Sequence, residues 1–354
     1  MDFLTSIKEK ARASKKTIVL PESLEKRNLE AAAVTLKEGF ADIVLIGNRE
    51  EIIKAAQEAG GFDVSGATII DPESYERYDE MINLFCELRK SKGVTPEQAK
   101  KVLADPLYFG VMLVKMGVAD GMVSGAVHAT ADVMRPALQI IKTKPGIKTA
   151  STFFVMCCDK KEFGDDGVLM FADCTLNQQP DPQQLAEIAV TTADSYAAFC
   201  DGEARVAMLS HSTKGSASHP DVDKVVEATK IARELRPDVK LDGELQLDSA
   251  IVPSIGAQKA PGSDVAGKAN VLVFPDIDAG NIGYKLVQRF AGAEAYGPII
   301  QGLAIVGTAN MNSVRRKVPT EGTGNVTTRT TSNVKGLRKT QEIQVGTKRK
   351  TKIK

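Results

Sequence analysis

The 354-residue chain has no tryptophan, three histidines and five cysteines. Each scarcity closes off a class of reading. His128, His211 and His219 are widely spaced, which excludes a compact zinc-ligand motif and gives no metal site. Cys86, Cys157, Cys158, Cys174 and Cys200 form no C-x-x-C pair, so neither a redox pair nor a metal knuckle is present. They read as reduced, mostly buried thiols, with Cys157 and Cys158 in a core strand rather than acting as nucleophiles. No apolar run is long enough to cross a membrane, and no leader with a basic start and apolar middle precedes the first element. The chain therefore reads as cytoplasmic, with no membrane partner. G-x-G-x-x-G is missing wherever it would serve a dinucleotide, and so is a Walker G-K-[ST].

What is present is ordinary for a globular protein: 43% hydrophobic and 26% charged residues, in a length that allows two domains. The net charge of +1 hides an asymmetry. Residues 305–354 hold 12 Lys/Arg, 2 Asp/Glu and no aromatic. Such a segment cannot repay the entropy of ordering, so it reads as a disordered basic tail. With no aromatic to stack on a base it does not read as a specific nucleic-acid module, although salt-sensitive adhesion fits its charge.

The body alternates short apolar runs with amphipathic stretches. Strands are predicted at 17–20, 42–46, 67–70, 121–123, 152–156, 168–171, 206–209 and 271–274. Helices are predicted between them, including 49–59, 182–200 and 222–235, with Thr95 as an N-cap before Pro96. This alternation predicts α/β architecture with parallel sheets. Pro145-Gly146 marks a hinge between two domains. The first is a discontinuous α/β domain of residues 1–145 plus 290–304, the second an α/β domain of residues 146–289.

In such folds ligands bind where strand ends and loops converge. Residues 120–146 (DGMVSGAVHATADVMRPALQIIKTKPG) place Ser124, Gly125, His128 and Thr130 after an apolar run, then Arg135, Lys142 and Lys144. Glycine allows close backbone approach, N–H groups at a helix start face an anion, and cations neutralise it. The same residues also fit a glycine-rich joint with solvated cations. Residues 210–216 (SHSTKGS) form a second candidate anion loop, or a polar surface turn. After 271–274, Asn281 and Lys285 fall on one face of a helix start.

DPLYFG (105–110), residues 119–146, GVLMFADC (167–174), SHSTKGSA (210–217) and residues 259–304 together resemble the phosphate acetyltransferase (phosphotransacetylase) family within the phosphate acetyl/butyryltransferases. The match covers about Leu4 to Ala304. The resemblance implies two α/β domains around an interdomain cleft, like those of isocitrate and isopropylmalate dehydrogenases, in a homodimer. It implies reversible acetyl transfer between CoA and inorganic phosphate, with acetyl-CoA and acetyl phosphate as partners and no resident cofactor. Arg89 and Arg135 match arginines implicated in CoA binding. Ser124, His128 and Thr130 match a loop bordering the acyl-phosphate pocket. Asn281, Lys285 and Arg289 match positions lining the cleft, and Ser212 and Thr213 belong to the matching 210–217 segment.

After residue 304 the family continues with a PVNDLSRGCS-x-x-D segment that carries its principal catalytic residues. This chain reads IVGTANMNSVRRKVPTEGTG instead. Ser313 and Arg315 are faint echoes and no Asp follows, so the catalytic residues stay unassigned. The alternatives are an impaired member that binds CoA or acetyl phosphate, which leads to an expectation of strongly slowed transfer, and a phosphate butyryltransferase. Limited trypsin digestion should remove the tail beyond about Thr308 and leave a stable body of about 300 residues. Protection of Arg329 or Lys335 at low protease would show that the tail packs.

Overall fold

The computed structural model describes residues 2–200 and 202–304. The tail beyond 304, with its expected disorder and with Ser313 and Arg315, lies outside the described residues. In chain order the elements are α1 (Phe3–Ala13), β1 (Lys16–Leu20), α2 (Lys26–Glu38), β2 (Ala41–Ile46), α3 (Arg49–Gly60), β3 (Thr68–Ile70), α4 (Tyr78–Leu88), α5 (Pro96–Leu103), α6 (Pro106–Lys115), β4 (Gly121–Met122), α7 (Thr130–Pro136), β5 (Ser151–Cys157), β6 (Val168–Ala172), α8 (Pro182–Cys200), β7 (Arg205–Leu209), α9 (Pro220–Leu235), β8 (Lys240–Leu245), α10 (Leu247–Ile251), α11 (Pro253–Lys259), β9 (Val271–Val273), α12 (Ile277–Phe290) and β10 (Glu294–Gln301).

Two compact units result. The smaller comprises Glu9–Pro136. Its sheet runs β3-β2-β1-β4, entirely parallel. Local chemistry fixes its helix ends. Glu25 caps α2 by accepting the Arg27 and Asn28 N–H groups, and Gly39, at φ 70°, ends it in the left-handed region that glycine tolerates. Thr95 and Gln98 form a complete capping box on α5. Leu29, Ala32, Ile43, Leu45 and Ile52 fill the core.

The larger unit comprises residues 2–8 and 137–304. Its sheet has the order β10-β5-β6-β9-β7-β8. Both faces of this sheet are buried, so successive side chains enter different cores. Phe153, Val155, Met170 and Val206 pack with Leu185, Ile188 and Val225 of α8 and α9. Phe154, Met156, Phe171 and Leu209 face the other way, with Ala250, Tyr284 and Val287 of α10 and α12.

Three expectations are corrected. The second sheet is mixed, because β5 runs antiparallel to both β6 and β10; residues 158–167 return the chain from β5 to β6 without a crossover helix. Residues 290–304 do not return to the first domain. β10 pairs with β5 from Glu294↔Cys157 to Gln301↔Ser151, so this segment closes the larger sheet. The units part at Pro136/Ala137 rather than at Pro145-Gly146, just before a π-helical turn at Ala137–Ile141. Of the five cysteines only Cys174 is fully buried; the other four are half-buried. Burial pushes the Cys157 thiol up to about 12, which keeps it protonated at neutral pH.

Gln301 ties β10 to the rest of its unit. Its amide donates to the Ser151 and Thr192 hydroxyls at 3.0 and 2.7 Å, and its carbonyl accepts from Ser195 at 2.7 Å. Gln301→Met should leave buried hydroxyls unpaired and cost about 2–4 kcal/mol by denaturant unfolding, given about 1–3 kcal/mol for each such group. A cost under about 0.5 kcal/mol would show that the network is dispensable.

Candidate substrate-binding site

Ser124, His128, Thr130, Arg135 and Arg89 lie in the smaller unit, and Ser212, Thr213, Asn281, Lys285 and Arg289 in the larger. In the smaller unit the loop after β4 behaves differently from the expected phosphate cradle. Its N–H groups do converge on an anion, but that anion is internal. Glu22, just past the end of β1, accepts Gly125 and Ala126 N–H on Oε2 at 2.9 and 2.8 Å. It accepts Val127 and His128 N–H on Oε1 at 2.9 and 3.0 Å. The His128 ring adds Nδ1 at 2.8 Å from Oε1. Gly125, at φ 100°, makes the turn that aligns these donors. Burial pushes the Glu22 carboxyl up, but the N–H donors of Val127, Ala126 and His128 outweigh it and hold the group below its ordinary value.

Ser124 is buried, and its hydroxyl has no hydrogen-bond partner. Thr130 is half-buried at the start of α7, a helix of seven residues. Arg135 is 59% exposed and only loosely paired, 3.6 Å from Asp132. Arg89 caps α4, which packs on α5, α5 on α6, and α6 on α7. Lys144 is not available to a ligand, because it pairs at 3.1 Å with the buried carboxylate of Asp194.

The larger unit repeats the pattern after β6 and after β7, the two strands that flank β9. After β6, Asp173 accepts the N–H groups of Thr175, Leu176 and Asn177 at 3.0, 3.2 and 3.0 Å, and also bonds the Thr152 hydroxyl. After β7, the expected anion loop wraps around Glu244 of β8. Ser212 Oγ and Gly215 N–H donate to Glu244 Oε1 at 2.9 and 2.7 Å. Ser212 and Thr213 are thus buried hydroxyls, Thr213 bonding Ser249 at 2.9 Å. Lys214 turns to the buried Asp242, 2.5 Å away.

Asn281 and Lys285 do meet. Lys285 Nζ donates to Asn281 Oδ1 at 2.6 Å, while Asn281 Nδ2 donates to the Cys174 carbonyl at 3.0 Å, tying α12 to the Asp173 loop. A Cβ on Gly280 would lie 2.4 Å from the Asp173 carbonyl, so only glycine lets α12 approach this closely. Lys285 and Arg289 are exposed on α12. The sequence reading singled out these loops but missed Glu22, Asp173 and Glu244, which organise them. The available signal was a carboxylate at or just past the end of an apolar run, in TIVLPE and VLMFAD. Arg89, Arg135, Lys285 and Arg289 remain as half-buried or exposed cations suited to phosphate.

A family model described as phosphate acetyl/butaryl transferase matches residues 2–314, past the Ala304 limit of the resemblance. A phosphate acetyltransferase of Thermoanaerobacterium thermosaccharolyticum is 57% identical over 303 residues, covering 86% of this chain and 92% of the relative. One of Bacillus subtilis is 48% identical over 302 residues, covering 85% and 91%. The crystal structure of a phosphotransacetylase from Streptococcus pyogenes superposes with TM-score 0.79 at 48% identity, covering 88% of this chain and 95% of that one.

Because the Glu22 carboxyl lies below its ordinary value of 4.5, its stabilisation is fully present above the unfolded-state value and is lost as pH falls through the folded one. Glu22→Gln should lower stability at pH 7 by about 2–4 kcal/mol, the scale of losing charge-assisted bonds, and the gap to the parent should close toward pH 3. A gap that stays constant with pH would mean that ionisation of Glu22 contributes nothing.

Proposed function

The chain belongs to the phosphate acetyl/butaryl transferase family, and we propose that it transfers an acetyl group reversibly between CoA and inorganic phosphate. The observation that carries this reading is the 57% identity to a phosphate acetyltransferase over 303 residues. It favours a working acyltransferase over an impaired binding protein.

In this reading the CoA sulfur attacks the acetyl carbon as a thiolate, the C–O bond to phosphate breaks, and phosphate departs with the electron pair. Holding sulfur and acyl carbon together supplies much of the rate. Arg89 and Arg135 hold CoA phosphates, because the planar guanidinium fork matches phosphate oxygens. Lys285 and Arg289 neutralise the phosphoryl group, and Asn281 orients Lys285 through their 2.6 Å bond. Ser212 and Thr213 act at one remove, stiffening the loop on Glu244. The reaction needs no resident cofactor, since CoA and phosphate are substrates. A cytoplasmic homodimer completes the proposal. Among the described residues no helix is long and apolar enough to cross a membrane.

The test is acetyl-CoA formation from acetyl phosphate and CoA by the full chain, with butyryl phosphate as comparison. Turnover with acetyl phosphate supports the reading, turnover with butyryl phosphate alone moves the acyl specificity, and no turnover with either overturns it. Arg135→Ala should weaken CoA binding by about 1.5–3 kcal/mol, the scale of a hydrogen bond to a charged group. Unchanged affinity by calorimetry would remove Arg135 from the site.

A further inference from the structure

Glu22 and Asp173 carry donors on both carboxylate oxygens, and Glu244 takes Ser212 and Gly215 on Oε1. One of them is nevertheless relayed outward. The His128 ring is a third exposed, while its Nδ1 contacts a Glu22 side chain that is 1% exposed. Glu22 is ionised at neutral pH and can only accept, so Nδ1 is the protonated nitrogen. In the neutral ring Nε2 then carries a lone pair. Its own partner is absent among the described residues, since the ring's hydrogen bond runs from Nδ1 alone.

The charged surroundings within the same unit are consistent with that state. Arg27 donates to the Ala126 carbonyl at 2.5 Å and is paired with Glu25 at 2.7 Å. Asp132, one turn along, faces Arg135. Among the described residues, Glu22 is the one carboxylate bonded to the ring. Four backbone N–H groups hold Glu22 in place, so the ring is set at a fixed angle on a loop leading directly into α7 and Arg135.

We propose that His128 Nε2 accepts the thiol proton of CoA, with Glu22 as the positioning residue. The presence of CoA rests on the acetyl-transfer reading. The S–H bond breaks, the proton moves to Nε2, and the electron pair stays on sulfur as the thiolate. The resulting imidazolium is balanced by Glu22 through Nδ1–H. After attack on the acetyl carbon, the imidazolium returns its proton to the departing phosphate. A free thiol ionises near pH 8.5, so at neutral pH it is mostly protonated and the thiolate needs a proton acceptor beside it. This assigns a proton acceptor that sequence reading did not find in the tail.

The test separates proton transfer from turnover. CoA is titrated into the full chain at neutral pH without acetyl phosphate, and the ultraviolet absorbance of the thiolate is followed alongside calorimetric binding. The parent protein should bind CoA and show the thiolate. His128→Gln should bind CoA within about twofold and lose the signal, its kcat should fall by about 10²–10⁴-fold with little change in KM, and the acidic limb of its pH–rate profile should flatten. Nitrogen-15 NMR of the parent protein should find Nδ1 protonated and Nε2 bare, a readout that does not depend on any variant folding. A thiolate signal that survives in His128→Gln, a protonated Nε2, or CoA bound without thiolate in the parent each overturns the proposal. A thiolate signal without acetyl transfer overturns the acetyl-transfer reading and leaves this assignment standing.

Discussion

The loops at the strand ends depend on one interaction: an internal carboxylate clasped by consecutive backbone N–H groups. A chain turning sharply after a parallel strand presents several donors in a row, and burying them unpaired would cost a few kcal/mol each. Glu22, Asp173 and Glu244 each collect two to five donors, mostly from loop backbone. Glu187 does the same for the Lys148 and Thr149 N–H groups at 2.9 and 2.8 Å. A lone buried carboxylate would be very costly; several charge-assisted bonds offset that cost and fix the loop in one shape.

This arrangement sorts the cations. Those next to a clasped or buried carboxylate are consumed by it: Lys144 by Asp194, and Lys214 and Arg233 by Asp242. Asp242 is pushed up by burial, but Lys214 and Ser263 outweigh this and keep it below its ordinary value. Those on helix surfaces, Arg135 and Lys285, keep exposed heads. Proximity in sequence to a glycine-rich loop is thus a poor guide to which cation meets a ligand.

The division explains what was legible in the sequence. Eight of the ten described strands follow from apolar runs such as TIVL and VLVF, because burial on both sheet faces leaves an unbroken hydrophobic signature. β8 (KLDGEL) and β10 (EAYGPIIQ) are interrupted by charge, glycine or proline, and both lie at sheet edges where a polar or proline residue is tolerated. The antiparallel hairpin from β5 to β6 was hidden because strand direction leaves no trace in composition. At the site, loop positions were readable from small and hydroxyl residues. The direction of their N–H groups was not, because Glu22 lies about a hundred residues from its donors. Ser124 shows the same limit from the other side: its residue type placed it in a candidate anion loop, yet its hydroxyl is buried without a partner.

The placement of β10 also bears on how the chain leaves the ribosome. Domains generally fold from the N-terminus during synthesis. The larger unit, however, takes its closing strand from residues 294–301 and packs Phe3 of the first helix against Tyr296, ring centroids 6.0 Å apart. The smaller unit's sheet is complete once β4 has emerged, whereas the larger must wait until its last strand clears the exit tunnel. Until then β5 presents an unpaired hydrophobic edge, and the first turn of α1 has no aromatic partner. A nascent chain stalled before residue 294 would therefore hold one finished unit beside an open-edged intermediate, the species that chaperones recognise.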